Sequence, residues 1–258
     1  MNQPQASSPT PSEKLDAVEE SMIHELDVRI ARSPLFMMGE RDLSRPGYKS
    51  RMVSSSNPRD YALQGDDPRL QKMPAKPTLL DFFKYRFGPN NHLLQSAKHA
   101  LVAGHDEETV LACLLHDIAV IGFIRSDHGW WGAQLIEPYV SEKVSWAIRA
   151  HQVLRFYPDP SVNYEYPEMY IRLFGEDFQP EDYIQEEYNR IKDHKWYMTG
   201  RLITINDIYS FDPDAKVEWE EFEDIVGRNF KQPEEGLGFD NSPVAHMWRT
   251  LIWPTRYL

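Results

Sequence analysis

The chain has 258 residues, 41% of them hydrophobic and 26% charged, which is the composition of an ordinary globular protein. Its formal net charge of −12 argues against a general nucleic-acid binder, which would need a basic face to neutralise phosphates. The sequence shows no run of about 20 apolar residues, no signal-peptide pattern and a single cysteine, Cys113, so we expect a cytoplasmic protein with no membrane partner.

The N-terminal part of the sequence is expected to be peripheral. Residues 1–13 are polar and rich in proline and serine, which predicts a disordered leader. Residues 14–77 are interpreted as an N-terminal helix followed by an irregular extension rich in glycine, proline and serine. We expect this extension to cover the core or to contact a second subunit, so a homodimer is one possible assembly.

A helical pattern dominates residues 78–230, which we interpret as the main domain. Thr78 with Asp81 resembles a capping box, Asp106 and Ser141 stand where helix N-caps are expected, and Gly104 is a natural helix stop. An acidic stretch, residues 217–230, predicts one more helix. Residues 231–258 form a tail whose Trp248, Trp253 and Tyr257 are expected to pack on the core or on another subunit. The predicted fold class is all-α.

The strongest chemical signal is a concentration of histidines. Six of the nine histidines lie between His92 and His151, and His116 and Asp117 are adjacent at the end of an apolar helical run. Neighbouring side chains on a helix diverge by roughly 100°, so such a pair suits a helix end from which both reach one metal centre.

Six residues at or near helix ends are the candidate metal ligands: His92, His116, Asp117, His128, His151 and Asp207. Imidazole and carboxylate ligands together suit iron, manganese or zinc. Six protein ligands are more than one such ion usually takes while leaving room for substrate, whereas two ions about 3.5–4 Å apart would use them all. Asp117 is the natural bridging ligand, because the residue beside it is already a ligand.

This pattern resembles the H…HD…D motif of the HD-domain superfamily. The likeness lies in residues 92–97 (HLLQSA), 116–118 (HDI) and 202–207 (LITIND), and His128 and His151 resemble the extra pair of the dinuclear members. Over about residues 79–217 the chain is most similar to the mixed-valent diiron oxygenases of that superfamily, which include phosphonate-cleaving oxygenases and myo-inositol oxygenase. The resemblance implies an HD-domain helical bundle with an N-terminal extension.

The resemblance also implies roles for individual residues. One iron ion would be bound by His92, His116, Asp207 and Asp117, and the second by His128, His151 and the shared Asp117. Arg155 stands where the phosphonate enzymes carry a substrate-binding lysine, so it is a candidate for catalysis and substrate binding. Tyr85 is the candidate for the tyrosine that covers the iron in those enzymes.

The region after His151 departs from the phosphonate enzymes, because it has no Ser/Thr- and Gly-rich anion cradle. It is aromatic instead, and Tyr164 and Tyr170 are candidate substrate-binding residues in a pocket whose substrate need not be a phosphonate. Core packing explains these aromatic residues equally well.

The ligand pattern and the resemblance leave three functions to be tested. The first is a diiron oxygenase that oxidises a small hydroxylated or amino substrate with O2. The second is a metal-dependent phosphohydrolase acting on a phosphoester or nucleotide, for which manganese or zinc would also serve. The third is a catalytically idle metal-binding or scaffold domain that acts through its long N-terminal extension. The apolar residues 118–123 after the His-Asp pair favour the oxygenase over the hydrolase, because hydrolases usually place lysine or arginine beside the metals.

Overall fold

The computed structural model describes residues 71–87, 90–119, 127–167, 171, 178–208, 210, 212 and 214–253. Within these ranges the chain forms nine α-helices, three short 3₁₀ turns and no β-strand, and the only β-type pairing among them is an isolated bridge between Asp159 and Tyr164. The all-α prediction is confirmed for this part of the chain. The leader, most of the predicted extension, Tyr170 and Tyr257 lie outside the described residues.

Nine α-helices follow one another along the described residues. They are α1 (Leu79–Tyr85), α2 (Asn90–Val102), α3 (Glu107–Leu115), α4 (His128–Ile136), α5 (Glu142–Leu154), α6 (Asp182–Ile191), α7 (Tyr197–Asp207), α8 (Glu223–Asn229) and α9 (Ala245–Ile252). The 3₁₀ turns are Glu137–Tyr139, Pro160–Val162 and Trp219–Phe222.

The predicted helix caps are present. The Thr78 side chain accepts from the backbone N–H of Asp81, whose carboxylate accepts in turn from Thr78, so a capping box begins α1. Asp106 caps α3 and Ser141 caps α5 through backbone N–H groups three residues on. Gly104 has a φ of +76° just after α2, a conformation that favours glycine. These local signals fix where the helices that carry the histidines begin and end.

Helix α5 lies at the centre of the fold. It packs against α3, α4, α6 and α7, while α2 packs against both α3 and α7. The helical run of α3 is buried along its whole length from Thr109 to Leu115, which explains its uniformly apolar sequence. The ends of these packed helices therefore converge, and the candidate ligands lie at those ends.

The C-terminal region belongs to the same core. Trp248 is completely buried, its ring meets Phe82 edge to face at 5.2 Å, and its indole N–H donates to the Leu135 carbonyl. Trp253 is also buried, so the expectation that these two aromatic residues pack on the core is confirmed. No helix was predicted in this region, but it contains α9.

Two further boundaries differ from those predicted from the sequence. The acidic helix expected over 217–230 begins instead as a 3₁₀ turn, with the ring of Trp219 stacked on Phe83 at 4.5 Å, and becomes α-helical only at Glu223. At the other end of the chain Met73, within the predicted extension, is buried in the main core. Among the described residues there is no helix both long enough and apolar enough to cross a membrane.

Candidate metal centre

The structure brings all six predicted ligands together. His92 comes from the first turn of α2, His116 and Asp117 directly follow α3, and His128 is the first residue of α4. The remaining two come from the last turn of α5 (His151) and the last residue of α7 (Asp207). The four histidines and Asp207 are buried, and the Asp117 side chain is 14% exposed. Helix ends from five elements thus meet at one buried point.

The first half of the cluster contains His92, His116 and Asp207. The Nε2 atom of His92 lies 2.9 Å from Asp207 Oδ1 and 3.3 Å from His116 Nε2, and His116 Nε2 lies 3.5 Å from Asp207 Oδ1. Asp117 Oδ2 is 3.5 Å from each of the two imidazole nitrogens. Four ligand atoms therefore surround one small volume.

The second half contains His128 and His151, and Asp117 joins it to the first. The two Nε2 atoms are 3.2 Å apart, and Asp117 Oδ1 lies 3.0 Å from His128 Nε2 and 3.8 Å from His151 Nε2. The two oxygens of Asp117 therefore face different sets of histidines. This is the placement expected of a carboxylate that bridges two ions.

Backbone carbonyls fix the orientation of three of the rings. His92 Nδ1 lies 3.1 Å from the Ser210 carbonyl oxygen and His116 Nδ1 lies 2.7 Å from that of Cys113, while His151 Nδ1 contacts that of Ile148. A carbonyl oxygen only accepts, so each Nδ1 carries the hydrogen and donates it. In the neutral rings the lone pair is then on Nε2, the atom that points into the cluster.

The contacts between Nε2 atoms favour a bound cation. When His92 and His116 are neutral, both Nε2 atoms carry lone pairs and cannot hydrogen-bond to each other at 3.3 Å. Two imidazoles bound to one ion at about 2.1 Å each and at an angle of about 90–110° would place their nitrogens about 3.0–3.4 Å apart. Asp117 Oδ1 is buried and, among the described residues, receives no hydrogen bond of acceptable geometry. The donor set and this orphaned oxygen fit metal ions.

Without a cation, protons bound to the histidines compensate the negative charge of the two carboxylates. Burial alone would lower the pKa of His92, but hydrogen bonds and charges from Asp117 and Asp207 raise it to about 10. Burial likewise opposes the charge of Asp207, yet His116 and His92 hold its pKa well below the usual range. Burial lowers the pKa of His151 to about 4, so this ring is neutral at pH 7. Ions must therefore displace protons from the first half of the cluster.

A glycine allows the second half to form. A Cβ atom built on Gly129 would lie 2.9 Å from the Ile148 carbonyl oxygen and 3.1 Å from His151 Cε1. The Gly129 N–H also donates to the Gln152 side chain at 2.9 Å. Because only glycine permits this approach, α4 can lie close enough to α5 for His128 and His151 to meet.

Arg155 lies beside the cluster. Its guanidinium Nη2 is 3.7 Å from Asp207 Oδ2, and its side chain is 22% exposed. Tyr164 is buried nearby and donates its hydroxyl hydrogen to the Arg155 carbonyl oxygen at 3.0 Å. Tyr85 is partly buried in α1 and packs against the main core, and its role at the centre stays a prediction, as does that of Tyr170.

Sequence reasoning missed two residues that shape this region. Gly129 follows a predicted ligand directly, but its close approach to α5 depends on a contact with residues about 20 positions away. Arg201 is completely buried in α7 although arginine is rarely buried. Nothing in the sequence next to Arg201 indicates that it is buried, because its backbone partners lie 44 and 47 positions earlier.

Comparison with known proteins adds no family to these observations. The chain matches no protein-family model and none of the curated protein sequences.

Proposed function

We propose that the chain is a dinuclear iron oxygenase of the HD-domain superfamily that oxidises a small hydroxylated or amino substrate with O2. The observation that supports this proposal best is the position of Asp117, whose two oxygens face two different groups of imidazoles. A single-ion site has no use for such an arrangement. Two ions bridged by this carboxylate would use every buried ligand of the cluster.

The ligands divide into two unequal sets. The first ion would be bound by His92, His116, Asp207 and Asp117 Oδ2, and the second by His128, His151 and Asp117 Oδ1. The second set has fewer ligands and one fewer carboxylate, so it would leave more coordination positions open for substrate or O2 and bind its ion less tightly. Nitrogen and oxygen ligands without sulfur suit iron and manganese.

The protein residues around the centre would bind and orient the substrate, while bound iron would supply the redox chemistry with O2. Arg155 is placed to bind an anionic group of the substrate, because its guanidinium lies beside a metal ligand and is partly exposed. Ile118, fully buried next to Asp117, and Tyr164, also buried, limit the access of water from their sides.

The alternative function is a metal-dependent phosphohydrolase. The position of Arg155 is the observation that favours it. A guanidinium 3.7 Å from a metal ligand suits a phosphate oxygen as well as a carboxylate. In that case the bound metal ions would supply an activated water, and Arg155 would bind and stabilise the negatively charged phosphoryl oxygens.

Metal content and electron paramagnetic resonance (EPR) distinguish the two functions. Protein purified after expression with added iron and then partly reduced should contain two irons per chain and give the coupled signal of a mixed-valent pair. His128→Ala should abolish that signal and retain about one iron, whereas His246→Ala, which changes an exposed histidine of α9, should leave both unchanged. If the protein contains manganese or zinc, gives no mixed-valent signal and hydrolyses a phosphoester, the oxygenase proposal is refuted and the hydrolase is supported. A chain that binds metal and does neither would support the scaffold.

A further inference from the structure

Arg201 is a buried charge that the proposed chemistry does not use. Its side chain in α7 is 0% exposed, and it lies six residues before Asp207. Transfer of a guanidinium from water into a protein interior is costly unless the charge is paired and its N–H groups are bonded. An apolar side chain of similar size could fill the same space, so the charge calls for a specific explanation.

The guanidinium of Arg201 is bonded to the segment that leaves α5. It donates to the Leu154 carbonyl oxygen and to the Tyr157 carbonyl oxygen, each at 2.9 Å. These two acceptors lie on either side of Arg155. Leu154 is the last residue of α5, where backbone carbonyls lack helical partners and a positive charge is favourable. Arg201 therefore fixes the backbone on both sides of Arg155.

The same guanidinium holds the turn that follows. It stacks on the ring of Tyr164 at 4.6 Å, and the Tyr164 hydroxyl donates to the Arg155 carbonyl oxygen. The turn is closed by two backbone hydrogen bonds between Asp159 and Tyr164. Tyr197 completes the network, because its hydroxyl accepts from Arg201 at 3.0 Å and donates to Asp159 at 2.7 Å.

We propose that Arg201 is a positioning residue that holds residues 155–164 so that the Arg155 guanidinium stays beside the metal centre. This inference rests on the proposed function in one respect, namely that Arg155 binds an anion there. Arg201 itself cannot contact a ligand, since it is fully buried under Tyr164. Any effect of Arg201 on anion binding must act through Arg155.

The test uses the full chain loaded with Mn²⁺ and inorganic phosphate as the probe. Phosphate affinity is measured by calorimetry and backbone protection of residues 155–164 by hydrogen exchange, in the wild type, Arg155→Ala, Arg201→Lys and the double variant. Lysine keeps the charge but lacks the fork that reaches both carbonyls. The matched control is Arg190→Lys, the same change at an exposed position of α6.

We expect Arg201→Lys to weaken phosphate binding on the order of tenfold and to speed exchange in residues 155–164, with the Mn²⁺ stoichiometry unchanged. In the Arg155→Ala background the same change should have no further effect on phosphate, because the two residues act on one contact. Arg190→Lys should match the wild type. Tyr197→Phe, which removes one link of the network, should give a smaller loss and serves if Arg201→Lys does not fold.

Additive effects of the two substitutions on phosphate binding, or wild-type exchange and affinity in folded Arg201→Lys, would overturn the proposal. If the wild type binds Mn²⁺ but no phosphate, the anion-binding role of Arg155 in the proposed function fails. Hydrogen exchange of residues 155–164 would then still decide whether Arg201 holds this segment, because that measurement requires no ligand.

Discussion

Gly129→Ala should remove one ion from the centre without unfolding the protein. The new Cβ atom would lie 2.9 Å from the Ile148 carbonyl oxygen, whereas an ordinary contact needs about 3.4 Å or more. Helix α4 must therefore move away from α5 by about 0.5 Å. The Nε2 atoms of His128 and His151 are now 3.2 Å apart, and the movement would increase their separation to about 3.7 Å.

That displacement exceeds the tolerance of metal ligation, in which bond lengths usually stay within about 0.2 Å of their preferred values. We expect the affinity of the second half of the cluster for metal to fall about 10–100-fold, as when other supporting residues of metal sites are changed. Overpacking costs about 1–3 kcal/mol, and alanine in place of glycine in a helix returns about 1 kcal/mol. The net loss of stability should be about 0–2 kcal/mol.

The assay is metal titration with stoichiometry by elemental analysis, accompanied by chemical denaturation. Gly129→Ala should bind one ion with nearly wild-type affinity and the second weakly. The control is Gly227→Ala in α8, where a Cβ would meet nothing within 4 Å, so metal binding should not change and stability should rise slightly. Two tightly bound ions in Gly129→Ala would refute the argument that this close approach builds the second half.

Three other predictions concern stability. Asp106→Ala should lose about 1 kcal/mol at pH 7 in urea denaturation, because Asp106 caps α3. Burial opposes the charge of Asp106, but Lys143 and Thr109 outweigh burial and lower its pKa, so the charge-dependent part of this stability is present above the unfolded pKa of about 4 and is lost as the pH falls through the folded pKa. A loss that stays equal in a series of measurements from pH 7 downward would contradict it. Trp248→Ala should lower the free energy of unfolding by about 3–5 kcal/mol, because a fully buried indole and its hydrogen bond to the Leu135 carbonyl are lost. A loss below about 1 kcal/mol in chemical denaturation would show that α9 is not part of the core. Removal of metal with a chelator should lower the Tm, because ions that bind only the folded state stabilise it, and a Tm unaffected by chelator would argue against tight binding.

The ligand set could be predicted from the sequence because its signals are local. Asp106 and Ser141 mark the starts of the helices whose far ends carry ligands, and Gly104 marks the end of the helix whose first turn carries His92. The His116-Asp117 pair stands where an apolar helix stops. Capping and helix termination depend on residues within a few positions of each other. The sequence therefore indicated both where the helices end and which side chains extend from those ends.

The supporting contacts could not be predicted, because they join distant parts of the chain. Arg201 binds carbonyls 44 and 47 positions earlier, and nothing in its own neighbourhood indicates that it is buried. The same holds for α9, whose stability comes from the contact of Trp248 with Phe82 across most of the chain. A spacing of four residues between Val244, Trp248 and Ile252 was the one available signal for that helix.

The most direct test of the account is anomalous diffraction from crystals of the protein loaded with Mn²⁺ or iron. We expect two peaks about 3.5–4 Å apart on either side of the Asp117 carboxylate, one beside His92, His116 and Asp207 and the other beside His128 and His151. A single peak, or two peaks of which only one contacts Asp117, would contradict the claim that this residue bridges two ions.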